Sequence, residues 1–131
     1  MESFFTLEHI GLAARNTVEL KNWYVEKLGA SVVFEMVQAP PAFLINLGGT
    51  LIEIYSALSQ SELVQNNRLG GWRHVALKVA SLEKAREILS ARGVEFKEEI
   101  KPAGGGGRVL FFQDLEGNLL HLTERLPGGF Q

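Results

Sequence analysis

The chain repeats itself. Strand-like and helix-like segments run strand–helix–strand–strand–strand, and then run in that order again. Four distinctive residues fall at matching places in the two copies: His9 (LEHIGLAA) and Glu53 (TLIEIYS) in the first, His74 (GWRHVALKV) and His121 (NLLHLTE) in the second. His9 and His74 are 65 residues apart (74 − 9), Gly29 and Gly93 are 64 apart (93 − 29), and Glu53 and His121 are 68 apart (121 − 53). Small loop insertions account for the drift. The repeat is a duplicated module, not a solenoid, and it predicts an α+β fold of two βαβββ modules in a single domain.

The first module spans residues 1–56. It opens with the apolar run Phe4 to Ala14. Asn16 or Thr17 can cap a helix carrying Leu20, Trp23, Tyr24 and Leu28 at helical spacing, with Gly29 as the stop. Ser31 to Val37 is β-branched and aromatic, and Pro40-Pro41 ends it. Ala42 to Leu47 and Thr50 to Tyr55 form a hairpin around Gly48-Gly49. Residues 57–71 are polar, without a clear period, and read as a linker. The second module, 72–126, repeats the order: a strand from Trp72 to Val79, a helix capped by Ser81 and stopped by Gly93, and a strand from Val94 to Ile100. A loop with four glycines follows, then a hairpin of Arg108–Gln113 and Leu119–Glu124 across residues 114–117. The tail LPGGFQ is expected to fray.

Alternate residues of a strand point to opposite faces. Ile10 and Leu12, Ile52 and Ile54, Val75 and Leu77, and Leu120 and Leu122 take one face, which should pack on the helices. His9, Glu53, His74 and His121 take the other. Leu7, Gly11, Leu51, Tyr55, Trp72, Ala76, Leu119 and Thr123 share that parity, so three imidazoles and a carboxylate converge on a mostly apolar surface, as in a small-molecule site. An ionised glutamate there is costly unless paired or bound to metal, and neutral imidazole with carboxylate suits zinc, nickel, iron or manganese.

Each residue also has a plainer reading. A lone strand histidine is usually hydrogen-bonded, and Glu53 could be a solvated residue on a wet sheet face. The four related positions favour metal ligation over both. Gly104 to Gly107 reads as a plain connection and matches no phosphate-binding pattern. Trp72 is a wall of the site or a core residue, Trp23 packs its helix, and Arg108 and Lys78 are expected in solvent.

A net charge of −2 lacks the basic stripe that nucleic acid requires, and the absence of cysteine rules out disulfides and thiolate chemistry. No apolar run approaches the roughly 18–20 residues of a membrane span, and MESFFTLEH is not a secretory signal, so a cytoplasmic protein is the default expectation.

The segments HIGLAARN, WYVEKLGASVVFE, GWRHVALKV and FFQDLEGNLLHLTE resemble the vicinal oxygen chelate superfamily, the glyoxalase/bleomycin resistance/dioxygenase proteins, over essentially the whole chain. That resemblance implies a cup-shaped, eight-stranded mixed sheet with helices on its outer face. It also implies a divalent metal held at the positions of His9, Glu53, His74 and His121. The family's shared chemistry is chelation of two adjacent substrate oxygens. The expectation is therefore a metal-dependent glyoxalase-like lyase or isomerase acting on a small metabolite, with Glu53 or His121 as base and a homodimer as the assembly. The alternatives are an iron-dependent dioxygenase and a metal-free antibiotic- or metabolite-binding protein. Two departures stand out: His121 occupies the place of the family's usual glutamate, and Leu115 that of its usual proline.

Overall fold

The structure, a computed structural model, describes residues 2–60 and 65–127. Their contacts divide the chain into two compact units, 1–60 and 61–131, each built around one four-stranded mixed sheet and one helix.

In the first unit β1 (His9–Ala14), α1 (Thr17–Leu28), β2 (Ser31–Met36), β3 (Ala42–Leu47) and β4 (Thr50–Ser56) follow in order. The sheet order is β1-β4-β3-β2, with β1 parallel to β4 and the other pairs antiparallel. Parallel pairing needs a crossover, and α1 begins it. Asn16 starts the helix by accepting from the Glu19 N–H at 3.0 Å. Gly29 ends it at φ 73°, donating to the Val25 carbonyl while Ala30 donates to that of Tyr24. Leu20 and Tyr24 are buried against the sheet face that carries Ile45, Ile52 and Ile54. Each such fully buried aliphatic side chain contributes about 1.5–3 kcal/mol. Gly48 and Gly49 both take positive φ, 59° and 100°, which a tight β3–β4 turn demands.

The second unit holds β5 (His74–Lys78), α2 (Leu82–Ala91), β6 (Lys101–Pro102), β7 (Arg108–Gln113) and β8 (Leu119–Glu124), in sheet order β5-β8-β7-β6. Ser81 caps α2, and Leu82, Leu110 and Leu120 are fully buried. The β7–β8 turn is tied by Asp114, whose Oδ1 accepts from the Glu116 and Asn118 amides at 2.9 and 3.0 Å.

Three expectations need correction. The strand over 94–100 does not form, and only Lys101–Pro102 pairs with β7. The alternation there is real, since Val94 is buried and Phe96 lies 5.4 Å from the Phe112 ring. The segment nonetheless stays outside the ladder, which begins only at Lys101. The Trp72–Val79 strand begins only at His74, and Trp72 is almost fully exposed, neither wall nor core. Finally, Phe4 and Phe5 lie outside β1 and are exposed. Residues 61–64 of the expected linker and the last four of the tail lie outside the described residues. Among the described residues no helix is long and apolar enough to cross a membrane.

Candidate functional site

The ladders reproduce the repeat residue for residue. His9 opens β1 opposite Leu51, and Glu53 follows two residues on in β4. His74 opens β5 opposite Leu119, and His121 follows two residues on in β8. Each unit thus sets its pair on neighbouring parallel strands, one diagonal step apart, on the face away from the helix. That step brings long side chains within reach of each other.

In the first unit the His9 Nε2 lies 4.0 Å from the Glu53 Oε1, and both side chains are about one-third exposed. The His9 Nδ1 donates to the Glu8 carboxylate at 2.9 Å, which leaves the lone pair on Nε2. Gly11, the ladder partner of Glu53, has no side chain, and the Tyr55 ring lies across it; a Cβ there would meet that ring at 3.1 Å.

In the second unit the rings of His74 and His121 lie 4.5 Å apart. The His74 Nδ1 donates to the Asn67 Oδ1 at 2.7 Å, again leaving Nε2 with the lone pair. Phe111, the ladder partner of His121, sets its ring edge-on to both imidazoles at 4.8 and 5.6 Å. His121 is buried, and neither of its ring nitrogens has a hydrogen-bond partner. Burial, then the charges of His74, Arg125 and Lys101, push its pKa down to about 4, so it is neutral at pH 7. An imidazole buried with both nitrogens unsatisfied is costly. Metal ligation at one nitrogen relieves that cost, so this donor set fits a divalent ion.

The structure therefore brings His9 to Glu53 and His74 to His121. Among the described residues no group of three histidine, aspartate or glutamate side chains gathers at one point. Two orienting partners, Glu8 and Asn67, carry no periodic signal, and Asn67 lies in the stretch read as linker. Arg108 keeps the expected solvent exposure, with 40% of its side chain accessible, but it is also ion-paired: it bridges Glu83 at 2.7 Å and Glu124 at 2.9 Å on the helix side of the sheet.

Among known proteins, human mitochondrial methylmalonyl-CoA epimerase is 27% identical over 129 residues, covering 90% of this chain and 73% of that protein. A glyoxalase family protein from Enterococcus faecalis is 30% identical, covers 92% of this chain and 98% of its own, and superposes with a TM-score of 0.78. The fosfomycin resistance protein FosX of Listeria monocytogenes, complexed with Mn(II) and 1S,2S-dihydroxypropylphosphonic acid, is 20% identical with a TM-score of 0.70, covering 95% and 94%. At that identity the likeness is one of fold. The model of the glyoxalase/bleomycin resistance protein/dioxygenase superfamily matches residues 6–122, a span that takes in both modules and all four of these side chains, and the chain belongs to that superfamily.

Proposed function

We propose that His9, Glu53, His74 and His121 are ligands of a divalent metal ion, and that the protein is a metal-dependent isomerase or lyase acting on a small metabolite with two adjacent oxygens. The observation that carries this reading is the buried His121 imidazole, both of whose nitrogens lack a partner, set against a His74 whose Nδ1 is already committed to Asn67. The repeat-related pairing of His9 with Glu53 supports it. So do the epimerase name of the human relative and the Mn(II) in FosX. A bound divalent ion would supply Lewis acidity toward the substrate oxygens.

The chain's own groups then divide the work. Glu53 is the single carboxylate of the set and is partly exposed, so it is the proton carrier. It takes a proton from the carbon beside a substrate carbonyl and returns it to carbon. His121, neutral at pH 7, serves as ligand and as the alternative acceptor. Glu8 and Asn67 fix the tautomers of His9 and His74, so that each presents an unprotonated Nε2.

Elemental analysis of protein purified without added chelator tests the reading. About one zinc, nickel, iron or manganese per ligand set is expected, and His74→Ala should lose it. Equal trace metal in both proteins would remove the case for the site.

A further inference from the structure

We propose that the surface of β8 beside His121, built from Thr123, Lys78, Lys101 and Arg125, is a subsite for an oxyanion, and that the substrate is an anion carrying a carboxylate, phosphonate or phosphate group.

Thr123 lies two residues beyond His121 on the same face of β8, about 7 Å along the strand. It is buried, and its hydroxyl has no hydrogen-bond partner. A threonine hydroxyl in a strand normally finds a carbonyl or water, and one left without a partner lowers stability. An orphan O–H donor beside a candidate metal ligand marks where a ligand acceptor belongs.

The charges around it define that acceptor. The ladder partner of Thr123 in β5 is Lys78, on the same face. Its partner in β7 is Val109, which in turn pairs with Lys101 of β6. The Lys101 ammonium lies 4.6 Å from the centre of the Phe111 ring, the ring that packs on His121. Arg125 follows Thr123 by two residues, and its Nη1 donates to the carbonyls of Gly104 and Gly106 at 2.5 and 2.9 Å. One carboxylate, Glu98, stands 3.5 Å from Lys101, and both groups are half-exposed, so their pairing is screened by water. Three cations around an unpaired O–H donor are complementary to acceptor-only oxygens bearing negative charge. A neutral ligand would leave that field unanswered.

Reading this surface as part of a substrate site rests on the metal-centre proposal; its binding of an anion does not. Inorganic phosphate and, separately, acetate are titrated into the metal-free full chain and followed by amide NMR shifts. Saturable shifts are expected at Thr123, Arg125 and the Gly104–Gly107 loop. Thr123→Val and Lys101→Ala should each weaken binding roughly tenfold, the scale of one charge-assisted hydrogen bond. Thr123→Val should at the same time hold or raise the melting temperature, because it removes an unsatisfied hydroxyl. His9→Ala, which breaks the candidate metal set, should leave anion binding intact, so failure of the metal proposal remains distinguishable. Tighter phosphate than acetate assigns the phosphate or phosphonate class, and the reverse assigns a carboxylate. Shifts that never saturate, or an affinity unchanged in both variants, would overturn the subsite.

Discussion

His9 and His74 are held by the same device, an acceptor on Nδ1 that in the neutral ring places the lone pair on Nε2, yet the two acceptors differ in kind. Glu8 is the chain neighbour of His9 and half of an exposed contact, whereas Asn67 reaches His74 from seven residues away. A hydrogen-bonded partner that orients a ligand typically contributes 10–100-fold to metal affinity. Asn67→Ala should therefore weaken metal binding by about 10–100-fold in a chelator competition titration, while the circular dichroism spectrum stays unchanged. An unaltered affinity would deny Asn67 its orienting role. The four candidate ligands were legible in the sequence because strand parity and the repeat both select them. Asn67 was not, because a loop residue gains its role from where the chain returns, and no local period encodes that. Thr123 was visible only as one of several residues of the right parity; its missing hydrogen bond is a fact of packing.

The helices and turns were legible for local reasons. Asn16 and Ser81 act on backbone amides three residues on, and Gly29 and Gly48-Gly49 act through their own backbone, so each sits where its local chemistry places it. The 94–100 segment failed as a strand because alternation reports facing, not pairing, and an edge ladder depends on what the neighbouring strand offers. The glycine loop divides similarly. Gly107, at φ 100°, packs so closely on the Glu124 carbonyl that a Cβ would collide with it, whereas a Cβ at Gly104 meets nothing. Gly107→Ala should cost about 2 kcal/mol or more in urea unfolding, and Gly104→Ala should be near neutral.

Helix α2 is anchored from another strand: the Glu124 Oε2 accepts from the Leu82 N–H at 2.8 Å, and Arg108 ties Glu124 to Glu83. The backbone bond first, then Arg108, lower the pKa of Glu124; the Arg108 hydrogen bond lowers that of Glu83. Carboxylates with lowered folded pKa values stabilise the fold above their unfolded value, near 4.5, and lose that contribution as pH falls through the folded value. Glu124→Gln should therefore lower the urea midpoint at pH 7, and the gap to wild type should shrink between pH 5 and pH 3. His121 titrates in both proteins and cancels in the difference. A gap that stays constant with pH would show that the charge of Glu124 contributes nothing.

At the level of the whole chain, the duplicated sheets leave apolar surface that a lone copy does not cover. Edge strand β2 exposes Val32, Val33 and Phe34, on both sides of a register shift between Val32 and Phe34, and Phe4, Phe5 and Leu7 are exposed ahead of β1. A long apolar edge is a template for pairing, and natural sheets usually blunt such edges with charge; Glu35 is the only charged residue of β2. Exposed apolar residues along the unpaired edge of β2 are the kind of surface that a second copy can cover. The expected assembly is a homodimer, with light scattering giving about twice the 14.5 kDa chain mass at micromolar concentration. Phe34→Glu places a charge at the centre of that edge and should shift the protein toward monomer without changing its far-ultraviolet spectrum. If the mutant stays dimeric, the interface lies elsewhere on the chain; if wild type is monomeric under these conditions, the exposed edge serves some other contact and the dimer expectation fails.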